Sequence, residues 1–291
     1  MKAIEDCTAG IVGLGLMGGA VASALRKLDD APARILACDR DQSALDAARA
    51  RLCIDEAFLA DEDSGAPRTM LEQCDLVFLC LNPSTLIRFV EASMAFFKSG
   101  CLITDVAGIK GSVAALAERL RPDIDFIPGH PMAGAEKDGF SNSGLVDFNG
   151  KNYILTPLKR NRPENLAFLK SLIRRMGFSR ITETSAAGHD SKIAFTSQLC
   201  HVIAASLVDC EADSGITRYG GGSFEDLTRI AMLNAPMWTE LFLENRVELL
   251  ERVTRFEKSL DAIKALIASG DAPELEARLT LIRERRGAME R

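Results

Sequence analysis

Gly13-Leu14-Gly15-Leu16-Met17-Gly18 follows the apolar stretch at residues 8–13 and runs into a helical pattern over residues 20–28. Three glycines at this spacing let a chain turn sharply from strand to helix, let a pyrophosphate approach the backbone, and let the helix pack closely on the strand. Alone the motif is weak, because glycine-rich turns also occur without a ligand. Its flank adds weight: the next apolar stretch, residues 34–39, closes on Asp39, 21 residues after Gly18. A carboxylate there accepts hydrogen bonds from both ribose hydroxyls of NAD and repels the 2′-phosphate of NADP. The expected cofactor is therefore NAD, with Arg40 either stacked on adenine or simply exposed.

Working outward, apolar runs at residues 8–13, 34–39, 75–81, 101–105, 125–129, 152–156 and 179–184 alternate with helical stretches, and they read as buried parallel strands, apolar on both faces. The polar stretch 61–68 reads as a surface loop. From His189 onward helical periodicity takes over. The expectation is a Rossmann-type, mostly parallel sheet domain over residues 1–185, followed by an all-α helical domain over residues 186–291. A helix over residues 189–209 would be apolar nearly all round and must be buried. A second helix starts at Pro236 and runs through Leu241, Leu249, Val253, Phe256 and Leu260 to Ile267, ending at Ser269-Gly270. One all-apolar helix and one very long one are better suited to packing against a second copy than to standing alone, so a homodimer is expected.

Composition narrows the partners. A net charge of -6 and a pI near 5.3 argue against nucleic acid, which needs a basic footprint. The N-terminal sequence carries acids where a secretory signal would be basic, and no run of about 18 uncharged apolar residues is found. A cytoplasmic protein without membrane association is the expectation. The eight cysteines include no Cys-x-x-Cys pair and read as reduced thiols, those in apolar runs (Cys38, Cys80, Cys101 and Cys200) acting as small hydrophobes. The three histidines, His130, His189 and His201, form no metal-ligand spacing, so no metal is expected.

The chemistry centres on Gly129-His130-Pro131-Met132-Ala133-Gly134-Ala135-Glu136, at the carboxyl end of a strand where open parallel sheets bind their ligands. A histidine there, with an ordinary pKa of about 6.5, can take the proton of an alcohol as a hydride leaves its carbon. A lone His-Pro pair would serve equally well as a turn cap. Three more stretches follow in order: Thr104-Asp105-Val106-Ala107-Gly108-Ile109-Lys110; His189-Asp190 with Ser197-Gln198-Leu199-Cys200-His201; and Phe224-Glu225-Asp226-Leu227-Thr228-Arg229-Ile230-Ala231 leading into Pro236-Met237-Trp238.

Together with the glycine loop these stretches resemble the prephenate/arogenate dehydrogenase family of tyrosine-pathway enzymes, over residues 8 to 246. The resemblance implies oxidative decarboxylation of prephenate to 4-hydroxyphenylpyruvate. It assigns His130 as the catalytic partner of the substrate hydroxyl and Arg229 as the carboxylate ligand. It also implies that His189, Ser197, His201, Glu136, Gly222, Met237 and Trp238 line or approach the substrate pocket. From the residues alone, Ser197 and His201 share one helical face, while His201 and Trp238 would serve as well in a core. Gly108 stands where many members carry a serine near the nicotinamide, and Gln198 and Cys200 replace the usual histidine and proline. Arogenate as substrate, a β-hydroxyacid or imine-type dehydrogenase, and a non-catalytic NAD-binding sensor remain the alternatives.

Overall fold

The computed structural model describes residues 2–60 and 65–289. The first half is an open sheet. Strands β1 (Thr8–Val12), β2 (Arg34–Asp39), β3 (Glu56–Leu59), β4 (Leu76–Leu79), β5 (Leu102–Asp105) and β6 (Asp125–Ile127) lie in the order β3-β2-β1-β4-β5-β6, all parallel. Helices α1 (Leu16–Arg26), α2 (Gln42–Ala50), α3 (Ala66–Leu71), α4 (Pro83–Ser93) and α5 (Gly111–Ala117) connect them. The two halves of the sheet diverge between β1 and β4, and that reversal leaves a crevice at their carboxyl ends. Two buried clusters line the faces, one around Leu25, Leu45 and Phe78, the other around Leu79, Val90 and Phe126.

The single sheet expected from the sequence is in fact two. Pro128 breaks the run at residues 125–129: it ends β6 and starts β7 (Gly129–Pro131), which pairs antiparallel with β8 (Asn152–Leu155) in a separate three-stranded sheet. After α6 (Pro163–Arg175), β9 (Arg180–Glu183) joins β8 in parallel. β9 is mostly exposed, contrary to the expectation of two buried faces, because it closes one edge of the small sheet. β3, with an exposed Glu56, was not expected. Of the expected loop at 61–68, residues 61–64 lie outside the described residues and Ala66–Leu71 is helical, with proline in its first turn.

The second half is helical: α7 (Ala186–Ile193), a single π-helical turn at Ala194–Gln198, α8 (Leu199–Asp209), α9 (Gly222–Thr228), α10 (Ala235–Glu244), α11 (Arg246–Ser269) and α12 (Ala272–Ala288). The long helix expected from Pro236 to Ile267 is broken at Asn245, whose side-chain amide donates to Gln198 Oε1 at 2.8 Å and to the Asp190 carbonyl at 2.9 Å. α12 was not expected. Ala186–Asp209 is long and apolar enough to cross a membrane by length and composition. Yet its residues His189 and Asp190 are buried in polar contacts with the sheet domain, which ties it to the globular body. The burial expected all round this helix does not hold within one chain: Phe195, Leu207 and Val208 are exposed. Cys200, read as a core hydrophobe, is exposed too.

Candidate active site

A cavity of about 630 Å³ occupies the crevice and is walled by both halves of the chain. Gly15, Leu16, Met17, Gly108, His130 and Glu136 come from the sheet side, and Ser197, His201, Met237 and Trp238 from the helices. Sequence reasoning missed the segment Cys80-Leu81-Asn82-Pro83 after β4, although its place at a strand's carboxyl end was a usable signal. It also missed Asn234 and Leu241. Polar contacts tie the helical wall to the sheet side facing it: Ser84 N–H, in the first turn of α4, donates to Glu240 Oε1 at 2.5 Å, Asn234 Nδ2 donates to Asp138 Oδ2 at 2.6 Å, and Arg229 pairs with Glu136.

The glycine loop is shaped by contact. Gly13 has φ +88°, and a Cβ there would meet the Cys80 carbonyl at 2.5 Å; a Cβ on Gly18 would meet the Gly13 carbonyl at 1.9 Å. Only glycine fits either position. A Cβ on Gly15, by contrast, would find no described atom within 4 Å, and the α1 N-terminus behind it carries no side-chain cap. This is an open cradle with backbone N–H groups to offer, and it fits a dinucleotide pyrophosphate. Leu14 N–H donates to Asp39 Oδ2 and Asp41 N–H to Asp39 Oδ1 at 2.8 Å, which fixes the carboxylate beside the loop. Arg40 is exposed.

His130 sits on β7, opposite Ile154, and is partly buried at the cavity wall. Its Nδ1 lies 2.9 Å from His189 Nε2, and His189 Nδ1 lies 2.6 Å from Asp190 Oδ1. Burial, with smaller contributions from His189 and Lys110, pushes the His130 pKa well below the ordinary histidine value. Beneath it, Asp105 accepts from Gly129 N–H at 3.0 Å and Ala107 N–H at 2.9 Å, and pairs with the fully buried Lys110. Lys110 belongs to a stretch the sequence singled out, without a role for the pair being visible there. His201 Nδ1 meets the Ser197 carbonyl at 2.9 Å, so Nδ1 carries the proton, and its ring lies 3.7 Å from that of Trp238.

Some expected pocket residues are not at the wall. His189 is buried behind His130 rather than facing the cavity, because both its ring nitrogens are engaged. Gly222 opens α9 in an exposed position, and Arg229 lies at the rim, held by Glu136. The departures from the family pattern also acquire reasons. A Cβ at Gly108 would lie 3.3 Å from Leu241 Cδ2, so the leucine fills the space a serine side chain would enter. Gln198 is buried and donates to the Leu241 carbonyl at 2.9 Å, bracing the break between α10 and α11.

Residues 21–182 match the family described as prephenate dehydrogenase, nucleotide-binding domain, and residues 185–281 match prephenate dehydrogenase, dimerization domain. A cyclohexadienyl dehydrogenase of Zymomonas mobilis is 32% identical over 273 residues, covering 91% of this chain and 90% of the relative. A prephenate dehydrogenase of Bacillus subtilis is 29% identical over 274 residues, covering 91% and 71%. Among solved structures, the prephenate dehydrogenase of A. aeolicus in complex with hydroxyphenyl propionate and NAD+ has a TM-score of 0.86 at 28% identity, covering 99% of this chain and 100% of that one. The arogenate dehydrogenase of Synechocystis has a TM-score of 0.77 at 28% identity, covering 96% and 99%. A 3-hydroxyisobutyrate dehydrogenase of Salmonella typhimurium, 17% identical with a TM-score of 0.59 over 87% of this chain and 88% of that one, shares the fold alone. With both halves matched in order and the glycine cradle and His130 at one cavity, the chain belongs to the prephenate dehydrogenase family.

Proposed function

We propose that the chain catalyses the NAD-dependent oxidative decarboxylation of prephenate to 4-hydroxyphenylpyruvate. The observation that carries this reading is His130 in the wall of the same cavity that the glycine cradle lines, with burial lowering its pKa. The Bacillus subtilis and A. aeolicus relatives bear the name prephenate dehydrogenase, and the A. aeolicus protein was solved with NAD+. Residues 1–185 serve as the nucleotide-binding unit and residues 186–291 as the substrate-binding and dimerisation unit, in keeping with the two family descriptions.

Gly13, Gly15 and Gly18 give the pyrophosphate its cradle, and Asp39 receives the ribose hydroxyls. When bound, NAD+ supplies the hydride acceptor. His130 takes the proton of the ring hydroxyl as the carbinol hydride departs; the electron-poor ring then expels carbon dioxide and becomes aromatic. Positioning plus one base suffices, and a base in the right place contributes roughly 10²- to 10⁴-fold. Arg229 receives a substrate carboxylate, which takes the place of Glu136 on its guanidinium. Met237, Trp238 and Leu241 provide an apolar wall that keeps water from the ring. The helical half pairs with that of a second copy through its exposed apolar faces.

The test is the appearance of reduced nicotinamide absorbance when prephenate is added to protein and NAD+, with 4-hydroxyphenylpyruvate as product and arogenate and NADP+ run in parallel. Prephenate with NAD+ is expected to give the highest kcat/KM. Turnover of arogenate alone would move the substrate, and turnover of neither would remove the reading.

A further inference from the structure

His130 is one link in a closed ring of polar contacts that spans the two halves of the chain. Asp105, on β5, holds Gly129 N–H beside His130 and pairs with the Lys110 ammonium. The Lys110 backbone N–H donates to Asp190 Oδ1 at 2.9 Å and Gly111 N–H to Asp190 Oδ2 at 2.8 Å. Asp190 Oδ1 meets His189 Nδ1, and His189 Nε2 meets His130 Nδ1. The ring therefore closes on His130 from both sides.

Proton positions around the ring follow from which atoms can donate. Asp190 accepts two backbone N–H groups, one on each oxygen, which favours the ionised, acceptor-only carboxylate. The proton in its contact with His189 then belongs to His189 Nδ1. Burial drives His189 toward the neutral form against the pull of Asp190, so His189 Nε2 carries a lone pair. The proton in the next contact accordingly belongs to His130 Nδ1. Only His130 Nε2 is left with a lone pair to accept a proton.

We propose that His189 and Asp190 are positioning residues that lock His130 in its Nδ1–H tautomer and reserve Nε2 as the base. The inference rests on the reading of His130 as the base of the dehydrogenase. Among the described residues, the hydrogen bond that the His130 ring makes is the one with His189. When the substrate O–H bond breaks, its proton forms a bond to His130 Nε2, and the imidazolium keeps its Nδ1–H on His189. The Asp190 carboxylate, through His189, then stands behind the positive ring as an orienting counter-charge. The other polar and charged groups around the pair are Asp105 and Lys110, Tyr153 from β8, whose hydroxyl donates to the Asp105 carbonyl at 3.3 Å, Asn245, which donates to the Asp190 carbonyl, and Arg252, which donates to the neighbouring Ser191 hydroxyl.

The chain has three histidines, so imidazole nitrogens of histidine-labelled, NAD-loaded protein give three spin systems, assigned by single substitution. His130 is expected as the Nδ1–H tautomer; an Nε2–H tautomer overturns the proposal, and this measurement needs no variant of the pair to fold. In kinetics, Asp190→Asn removes the carboxylate charge behind His189 and leaves one amide oxygen to serve the three N–H groups that now share two, so the proton order along the chain is no longer fixed. Its kcat is expected to fall by about 10²- to 10⁴-fold, with KM for substrate and for NAD within ~3-fold. His189→Phe should lose as much. His189→Gln, whose carboxamide oxygen still accepts from His130 Nδ1–H, should retain activity to within about 10-fold, a rescue that a purely packing role would not produce. Wild-type turnover by Asp190→Asn, alongside an inactive His130→Asn, refutes the pair and spares the base. An active His130→Asn refutes the base itself.

Discussion

The two halves of this chain fold by different economies of surface. The sheet half contains both large buried clusters, which draw all their buried members from residues before 180. The helical half contributes few buried apolar residues, among them Ile193, Leu199, Leu241 and Leu249. Among the described residues, all of the large exposed hydrophobics except Leu52 and Leu145 lie beyond residue 190. The sheet half thus buries its large apolar side chains within one chain, while the helical half leaves many of its own exposed.

The largest effect is expected in the sheet. Phe78 is fully buried at the centre of β4, and Phe78→Ala should cost about 3–5 kcal/mol in urea denaturation. A cost below ~1 kcal/mol would deny the sheet half its dominance. In the helical half, Leu207→Asp combined with Val208→Asp should convert a dimer into a species of the 31.6 kDa chain mass by light scattering. Each of these side chains, if buried between copies, contributes roughly 1.5–3 kcal/mol. An unchanged mass would place the pairing surface elsewhere.

The seam between the halves has its own pH signature. The folded pKa values of His130 and His189 are both lowered, chiefly by burial. Their stabilising contribution is therefore complete above the unfolded value of about 6.5 and lost as pH falls toward the folded values, because the unfolded chain binds the protons first. Stability should decline below about pH 6.5 by up to ~1.4 kcal/mol per pH unit for each histidine, and His189→Gln should blunt that slope. The smallest effect is local to the sheet half. Leu52 follows α2 with φ 57°, a left-handed conformation that costs a side-chain-bearing residue roughly 1–2 kcal/mol, and its side chain is 76% exposed. Leu52→Gly should therefore raise thermal stability by a few degrees, equivalent to ~1 kcal/mol.

What the sequence disclosed follows the range over which each feature is determined. The tight strand-to-helix turn at Gly13 and Gly18, with Asp39 beside it, was legible because it depends on a strand, a turn and a helix that adjoin in sequence. The break at Asn245 was not, because the partners that stabilise it, Gln198 and the Asp190 carbonyl, are 47 and 55 residues away. His130 was legible as a candidate base, whereas its contact with His189 spans 59 residues and required the fold. Arg229 was legible as a cation, but its pairing with Glu136 was not. The Pro128 break was available in the sequence, since proline cannot donate to a continuing ladder, and the apolar run around it outweighed that signal.

That break sets a dimensional tolerance. The glycine cradle is built on the large sheet and His130 on the small one, so the separation between the cradle and the proposed base depends on a joint one residue long. Pro128 restricts φ at that joint, its carbonyl accepts from Thr156 N–H at 3.0 Å, and the following Gly129 N–H is held by Asp105 at 3.0 Å. Misplacement of a reacting group by about 1 Å can cost on the order of 10²-fold in rate. A change in the stiffness of this one peptide joint, next in sequence to His130, would therefore register as a change in the alignment of the proposed base.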